Sequence, residues 1–545
     1  MRASYRASVT GKTPRPMVAR GASMPAPVGG WDAISPLDNM DPSRAITMEN
    51  FFPQPGWVEL RRGSLSFCQI GSNSPVETLV AYNGATTSKL IAVTGGAIYD
   101  VTGGQGSAVS MQTGLSGNRF QTANFTGTGG NYLYMVNGLE LPYYYNGTVW
   151  ARPTITGAGI DPTKFIGVNV HKGRIWFVID ASMNAAYLPV DSIQGAAVRF
   201  PMAGVFNKGG YLVAMATWSL DGGTGLDDYA VFVTSRGQVA IYSGVDPATD
   251  FQLVGVFDIG APIGRRCITK VGADLVFICI DGVLPLSKAM VFERAAMQRV
   301  SMTDNISREM NIAARSYADN FGWELISYPR GTRALLNIPV TEGADQVQFV
   351  MNTLTGAWCR FTGMHANCWE LFNDLLYFGG NDGTVYLTDQ GSTDNGKNIH
   401  AELQTAFSYY GARGNQKRWM MSRVHLTTDQ QITPGIAFNV DFRDDAPIYV
   451  QASSAVNPSL WDQALWDVSE WPPESVTVAN WNSVSGIGYC ASIKVAVDTV
   501  NPLALSGGQW GVALWGVGVW GSLPRQNVTF NVNSFDVTME AGGMI

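Results

Sequence analysis

The sequence predicts an all-β fold: a degenerate multi-bladed β-propeller followed by a second, β-sandwich-like platform domain. Three observations carry this. Of 545 residues only 14% are charged, while 61 are glycine and 11% are aromatic. An average soluble domain is roughly 25% charged, so this balance fits many short strands joined by tight turns and a surface largely covered by partners. A strand–turn–strand pattern also recurs seven times between about residues 75 and 395. After Asn395 the texture changes to longer strands that alternate apolar and polar residues.

The elements follow in chain order. Residues 1–23 carry Arg2, Arg6, Lys12, Arg15 and Arg20 and no acid. Setting those five cations apart from the net charge of −7 leaves the remaining chain at −12, an acidic body with a basic tip. The tip is read as an arm, either contacting DNA or an acidic neighbour or simply solvated and flexible. It has no apolar stretch, so it is not expected to act as a secretory signal. Residues 24–69 form an extended Pro-rich strap. Pro25, Pro27, Pro36, Pro42, Pro53 and Pro55 exclude a regular helix or a central strand. Trp31, Phe51 and Phe52 are its apolar anchors, expected to insert into a subunit or domain interface.

Residues 70–395 are assigned to the propeller. Its hairpins start at Leu90, Tyr132, Arg174, Tyr229, Asp274, Val347 and Leu375. Most starts lie about 40–55 residues apart, near the length of a four-stranded blade. That repeat favours a ring of about six to eight blades over two stacked sandwiches, which the short strands alone would also fit. The interval after Asp274 is longer. Within it Ile306, Met310, Ala313 and Tyr317 recur at helical spacing, which predicts a helical insertion over about 284–318.

Residues 396–545 form the C-terminal β domain, and it holds two tryptophan ladders. Trp461, Trp466 and Trp471 are spaced by five, as are Trp510, Trp515 and Trp520. A period of five matches neither the helix nor the strand. Asp or Gly follows five of these six tryptophans, which predicts tight turns that stack the indoles into a ridge. Such a ridge suits a subunit contact or an internal domain core. Transient contact with a host membrane interface is a third reading.

Motifs for catalysis are missing. His171, His365, His400 and His425 form no metal-ligand spacing. No nucleophile elbow, phosphate loop or dinucleotide fingerprint is present. The stretch from Ser219 to Asp228, SLDGGTGLDD, reads as a Gly-rich turn rather than a calcium loop. The six cysteines include no CxxC pair and are expected to be buried, reduced thiols. No run reaches the ~18 apolar residues of a membrane helix. No cofactor, metal or enzymatic activity is expected.

The strap, MPAPVGGWDAISPLDNMDPSRAITMENFFPQPGWVELRRG, resembles the opening of the tail-nozzle, or packaged-DNA stabilisation, proteins of short-tailed bacteriophages. The matching elements are Pro27–Gly30–Asp32, Asp41–Ala45, Glu49–Pro53 and Gly56–Gly63. The resemblance implies a structural virion protein, assembled in the host bacterial cytoplasm. It implies a homo-oligomeric ring, usually hexameric, below a tail adaptor ring, with surfaces for fibres or spikes. Such a ring closes the tail channel, retains packaged DNA and opens for ejection. Double-stranded DNA then passes non-specifically through the lumen, and an acidic wall would keep it from sticking. A carbohydrate-binding tail adhesin is the alternative, and a propeller glycosidase or lyase a further one.

Overall fold

In the computed structural model the described residues are 19–104, 106, 108–221, 226–429, 434–449, 476–499 and 528–541. Both tryptophan ladders, and Arg2, Arg6, Lys12 and Arg15, lie outside them. Of the described residues 52% are in strands and 7% in helices. The architecture is a β-propeller joined to further sheets.

Six four-stranded blades and one three-stranded blade surround a central channel. Their inner strands are Thr78–Asn83, Gln121–Gly127, Phe165–His171, Leu212–Asp221, Ile268–Val271, Glu324–Tyr328 and Cys368–Phe372. Each of the seven hairpins read from sequence falls in a different blade. The second strand of a blade is covered on both faces by neighbouring blades, so its apolar residues run without alternation. Leu90, Ile91, Ala92 and Val93 are all fully buried. The turn that follows places Gly95 at φ 59° and Gly96 at φ 74°. Two successive positive φ angles make the tight hairpin that matches strand twist.

The three-stranded blade ends at Pro285, and the predicted insertion follows it. Its helices are Leu286–Ala289, Met297–Val300 and Ser307–Tyr317. The last is amphipathic, burying Met310, Ala313 and Ala314.

Ring closure departs from the sequence reading. The last blade takes only three strands from its own stretch: Cys368–Phe372, Leu375–Gly379 and Thr384–Thr388. The fourth is Ser64–Gln69, assigned above to the strap, which pairs antiparallel with Thr384–Thr388. An outer strand left unpaired exposes a row of N–H and C=O groups, and the N-terminal strand fills that row.

The strap also enters the C-terminal domain. One nine-stranded sheet begins with the penultimate blade and continues through the strap strand Ala45–Glu49. It then takes in His400–Thr405, Ala491–Asp498, Gly435–Val440 and Ile448–Tyr449. A seven-stranded sheet faces it, centred on Lys417–Thr428 and Phe530–Ala541. The strap supplies its hairpin Phe51–Gln54/Trp57–Leu60. Strand Ala19–Pro25 pairs with Phe530–Ala541 and starts inside the segment read as an arm. The two sheets enclose the largest apolar core, where Trp419 meets Phe438 at 5.4 Å between ring centroids. All six cysteines are free and buried.

Candidate functional site

Two polar constellations stand out, one in the strap and one in the channel. The strap joint is built from the residues that carry the family resemblance. Gly30 has φ 79°, and a Cβ there would lie 2.6 Å from the Trp358 carbonyl oxygen, so the chain can cross the penultimate blade only as glycine. Trp31 N–H then donates to Trp358 O at 2.7 Å. The Asp32 carboxylate accepts from Ile34 N, Ser35 N, Ser35 Oγ and Arg44 Nη1 at 2.8–3.2 Å. Burial pushes its pKa up, but these bonds outweigh that and hold it below the ordinary carboxylate range.

Asn50, at φ 55°, is the pivot. Its Nδ2 donates to His400 O at 2.7 Å and Thr362 Oγ1 at 2.9 Å. Its Oδ1 accepts from Thr362 N at 2.9 Å and Arg61 Nε at 2.6 Å. Arg61 is buried, and all five of its N–H donors find acceptors. Beyond Asn50 these are Arg62 O, Thr362 O and the two oxygens of Asp394, a bidentate pair at 3.0 and 2.5 Å. Glu49 is bound by Arg360 and accepts from Thr362 Oγ1 at 3.0 Å. Gly63 passes so close to Thr393 that a Cβ would sit 2.0 Å from its carbonyl oxygen. One short segment therefore ties together the penultimate blade, the last blade and the C-terminal sheets.

The predicted anchors belong to the core around this joint. Phe51 and Phe52 are fully buried and Trp31 is 8% exposed. Each phenylalanine contributes roughly 2–3 kcal/mol by leaving water. Their contacts lie within this chain: Trp31 packs edge-on against Phe349 and Phe52 against Phe361. Arg20 is exposed on the edge strand Ala19–Pro25.

The second constellation lines the central channel, a cavity of about 600 Å³ reached by all seven inner strands. An inner strand has one edge without a sheet partner, and side chains from adjacent blades satisfy part of it. Asn124 Nδ2 donates to Ala81 O at 2.9 Å and its Oδ1 accepts from Asn83 N at 3.2 Å. Asn169 Nδ2 donates to Met215 O, and Thr217 Oγ1 to Val170 O. Glu324 accepts from Trp369 N at 3.1 Å and pairs with Arg266 at 3.2 Å. Arg266 reaches on to Glu77 O at 2.8 Å. Burial pushes the Glu324 pKa up, with Arg266 pulling it back. Its side chain keeps 18% exposure yet lies deep in protein, so the upward direction is the one the surroundings support. Glu370 is pushed up to about 8, first by burial and then by the neighbouring Glu324 charge.

A second cavity adjoins one end of the channel and shares Gln121, Arg265 and Arg266 with it. The loop after the helical insertion brings Phe321 under Arg119 and Arg266, 4.2 and 5.3 Å from the ring centroid. Arg119 also binds Glu77 and Glu342.

Sequence reading did not single out Glu324, Glu370 or Arg266. Their strands carry no motif and meet only when the ring closes. The four histidines stay apart. His171 is buried against Thr217, and burial pushes its pKa down to about 4. The others each face one aspartate: Asp345, Asp498 and Asp536. Among the described residues no group of three or more His, Cys, Asp or Glu is arranged to hold a metal.

No family model and no curated protein matches this chain. Among solved structures it is similar to BBS1N in complex with ARL6DN, at 14% identity and a TM-score of 0.27. That match covers 38% of this chain and 64% of the other, so the chain spans under two thirds of it. It is also similar to Sqt1 of Saccharomyces cerevisiae, at 7% identity and a TM-score of 0.34, over 60% of this chain and 99% of that one.

Proposed function

We propose that this chain is a structural subunit of a tail nozzle in a short-tailed bacteriophage, assembling as a ring that retains packaged DNA and opens for ejection. The observation that carries this reading is the strap. The elements that resemble the nozzle family, from Gly30 to Gly63, are the ones that weld the propeller to the C-terminal sheets. A subunit with no free hinge between its two parts suits a ring wall. The DNA path is the lumen between copies. The propeller's own channel, a cavity of about 600 Å³, has no room for a duplex. The partners are further copies of the chain, six by the family resemblance, together with an adaptor ring and fibres or spikes.

Immunogold electron microscopy of intact virions, with antibody against residues 396–545, tests this. Label at the distal end of a short tail is expected. Label on lateral appendages would assign the chain to an adhesin. Absence of the protein from virion mass spectra would end the structural reading. One observation favours carbohydrate binding as a second property: polar side chains in the channel that have no partner among the described residues.

A further inference from the structure

The channel wall divides into groups that are used up and groups that are not. Arg266 is held by Glu324, and Lys172 by Asp228 at 3.3 Å. Asn169 and Thr217 serve neighbouring backbone. Gln121 and Thr122 of the second blade, and Thr269 and Lys270 of the three-stranded blade, line the same cavity with no side-chain hydrogen bond or ion pair among the described residues. The second and three-stranded blades approach each other across the channel, where Arg265 Nη1 donates to Asn137 O at 3.2 Å.

The charge balance selects the ligand. Asp228 and Glu324 are matched by Lys172 and Arg266. Glu370 lies between the charges of Glu324 and Arg266 and accepts from Leu371 N at 3.1 Å. Burial and the Glu324 charge push its pKa up to about 8, which lowers its share of the negative charge at neutral pH. Lys270 forms no ion pair among the described residues, and the hydroxyls of Thr122 and Thr269 and the amide of Gln121 belong to residues lining the same cavity. The cavity volume is within the range of small-ligand sites, and its wall is mainly polar.

We propose that the propeller channel binds a short acidic saccharide, with Lys270 taking a sugar carboxylate and Gln121, Thr122 and Thr269 its hydroxyls. A lone ammonium recognises a carboxylate as a point charge, and neutral donors and acceptors read the polyol around it.

The test uses the full chain and ligand-observed NMR with D-glucuronate and N-acetylneuraminate, each against D-glucose and inorganic phosphate. At least one acidic sugar is expected to bind with a Kd of about 10 mM or tighter, roughly tenfold better than glucose. Phosphate is expected not to displace it. Lys270→Met changes an exposed side chain, so the fold should persist. It is expected to weaken the acidic sugar by about tenfold while leaving glucose unchanged. Thr269→Val should weaken both sugars. Failure of both acidic sugars to bind, displacement by phosphate, or affinity unchanged in Lys270→Met and Thr269→Val would each overturn the proposal.

Discussion

The strap joint and the channel wall are both polar places in an apolar protein, and they spend their polar groups differently. At the joint each donor of Arg61 and each side-chain atom of Asn50 is bonded within the chain. In the channel the backbone edges are partly served, and four side chains remain without partners among the described residues. A saturated network fixes one arrangement and leaves nothing for a ligand. An unsaturated one lining a cavity of about 600 Å³ is open to one. The motif visible in the sequence therefore marks assembly of the fold, and the polar groups left over line the channel, where no motif points.

The comparison breaks most clearly on two arginines. Arg61→Met would leave Asp394 buried without its cation and remove one of the two donors to Asn50 Oδ1, at a cost of about 3–5 kcal/mol. Arg266→Met should cost only about 1–2 kcal/mol, because Glu324 can take up a proton, as its raised pKa already favours. Urea unfolding of both variants measures this. An equal loss would mean that the channel wall is as much a structural lock as the joint.

Glycines sharpen the same contrast. Gly63→Ala pushes a methyl against Thr393 and should cost about 1–3 kcal/mol. Gly21 has nothing within 4 Å of an added Cβ, and Gly21→Ala should stay within about 0.5 kcal/mol. If the two denaturation midpoints shift alike, the strap does not press on the last blade as described.

Much of the propeller is legible because the central hairpin of each blade is a dense apolar run closed by a glycine turn, as at Leu90–Gly96. Ring closure is not legible. Ser64–Gln69, SLSFCQ, reads as a strand, but nothing local says that its partner lies at Thr384–Thr388. The joint is visible as a motif while its meaning is hidden, since Arg61 and Asp394 meet only in three dimensions. The channel is the least legible. An inner strand such as Gln121–Gly127, QTANFTG, is polar because it faces water and neighbouring edges, so it lacks the apolar pattern that betrays the other strands.

The C-terminal sheet adds a pH-dependent lock. Burial pushes the Asp536 pKa up, but hydrogen bonds from Ser23, His425 and Arg423 overcome it and hold it at about 2. A depressed carboxylate pKa stabilises the fold above the unfolded value of about 3.9, and that stability fades as pH falls toward 2. The contribution at neutral pH is about 2 kcal/mol. Asp536→Asn should lower the melting temperature at pH 6 and flatten its fall between about pH 4 and pH 2. A variant with the same slope as the parent would show that the strand Ala19–Pro25 is not held by this charge.

The smallest expected effect tests the channel edge. Asn124 stands in for a missing strand, bonding Ala81 O and Asn83 N. In Asn124→Ala water can replace both bonds, because the site is partly exposed, so the global loss should be about 1 kcal/mol or less. The local loss should be larger than the global one. The Asn83 amide should exchange with solvent faster than in the parent, while amides of the buried strand Ser88–Thr94 keep their protection. Unchanged exchange at Asn83 would mean that the inner edge holds without its side-chain caps. The channel wall would then be free to reorganise around a ligand, and its difference from the joint would be greater still.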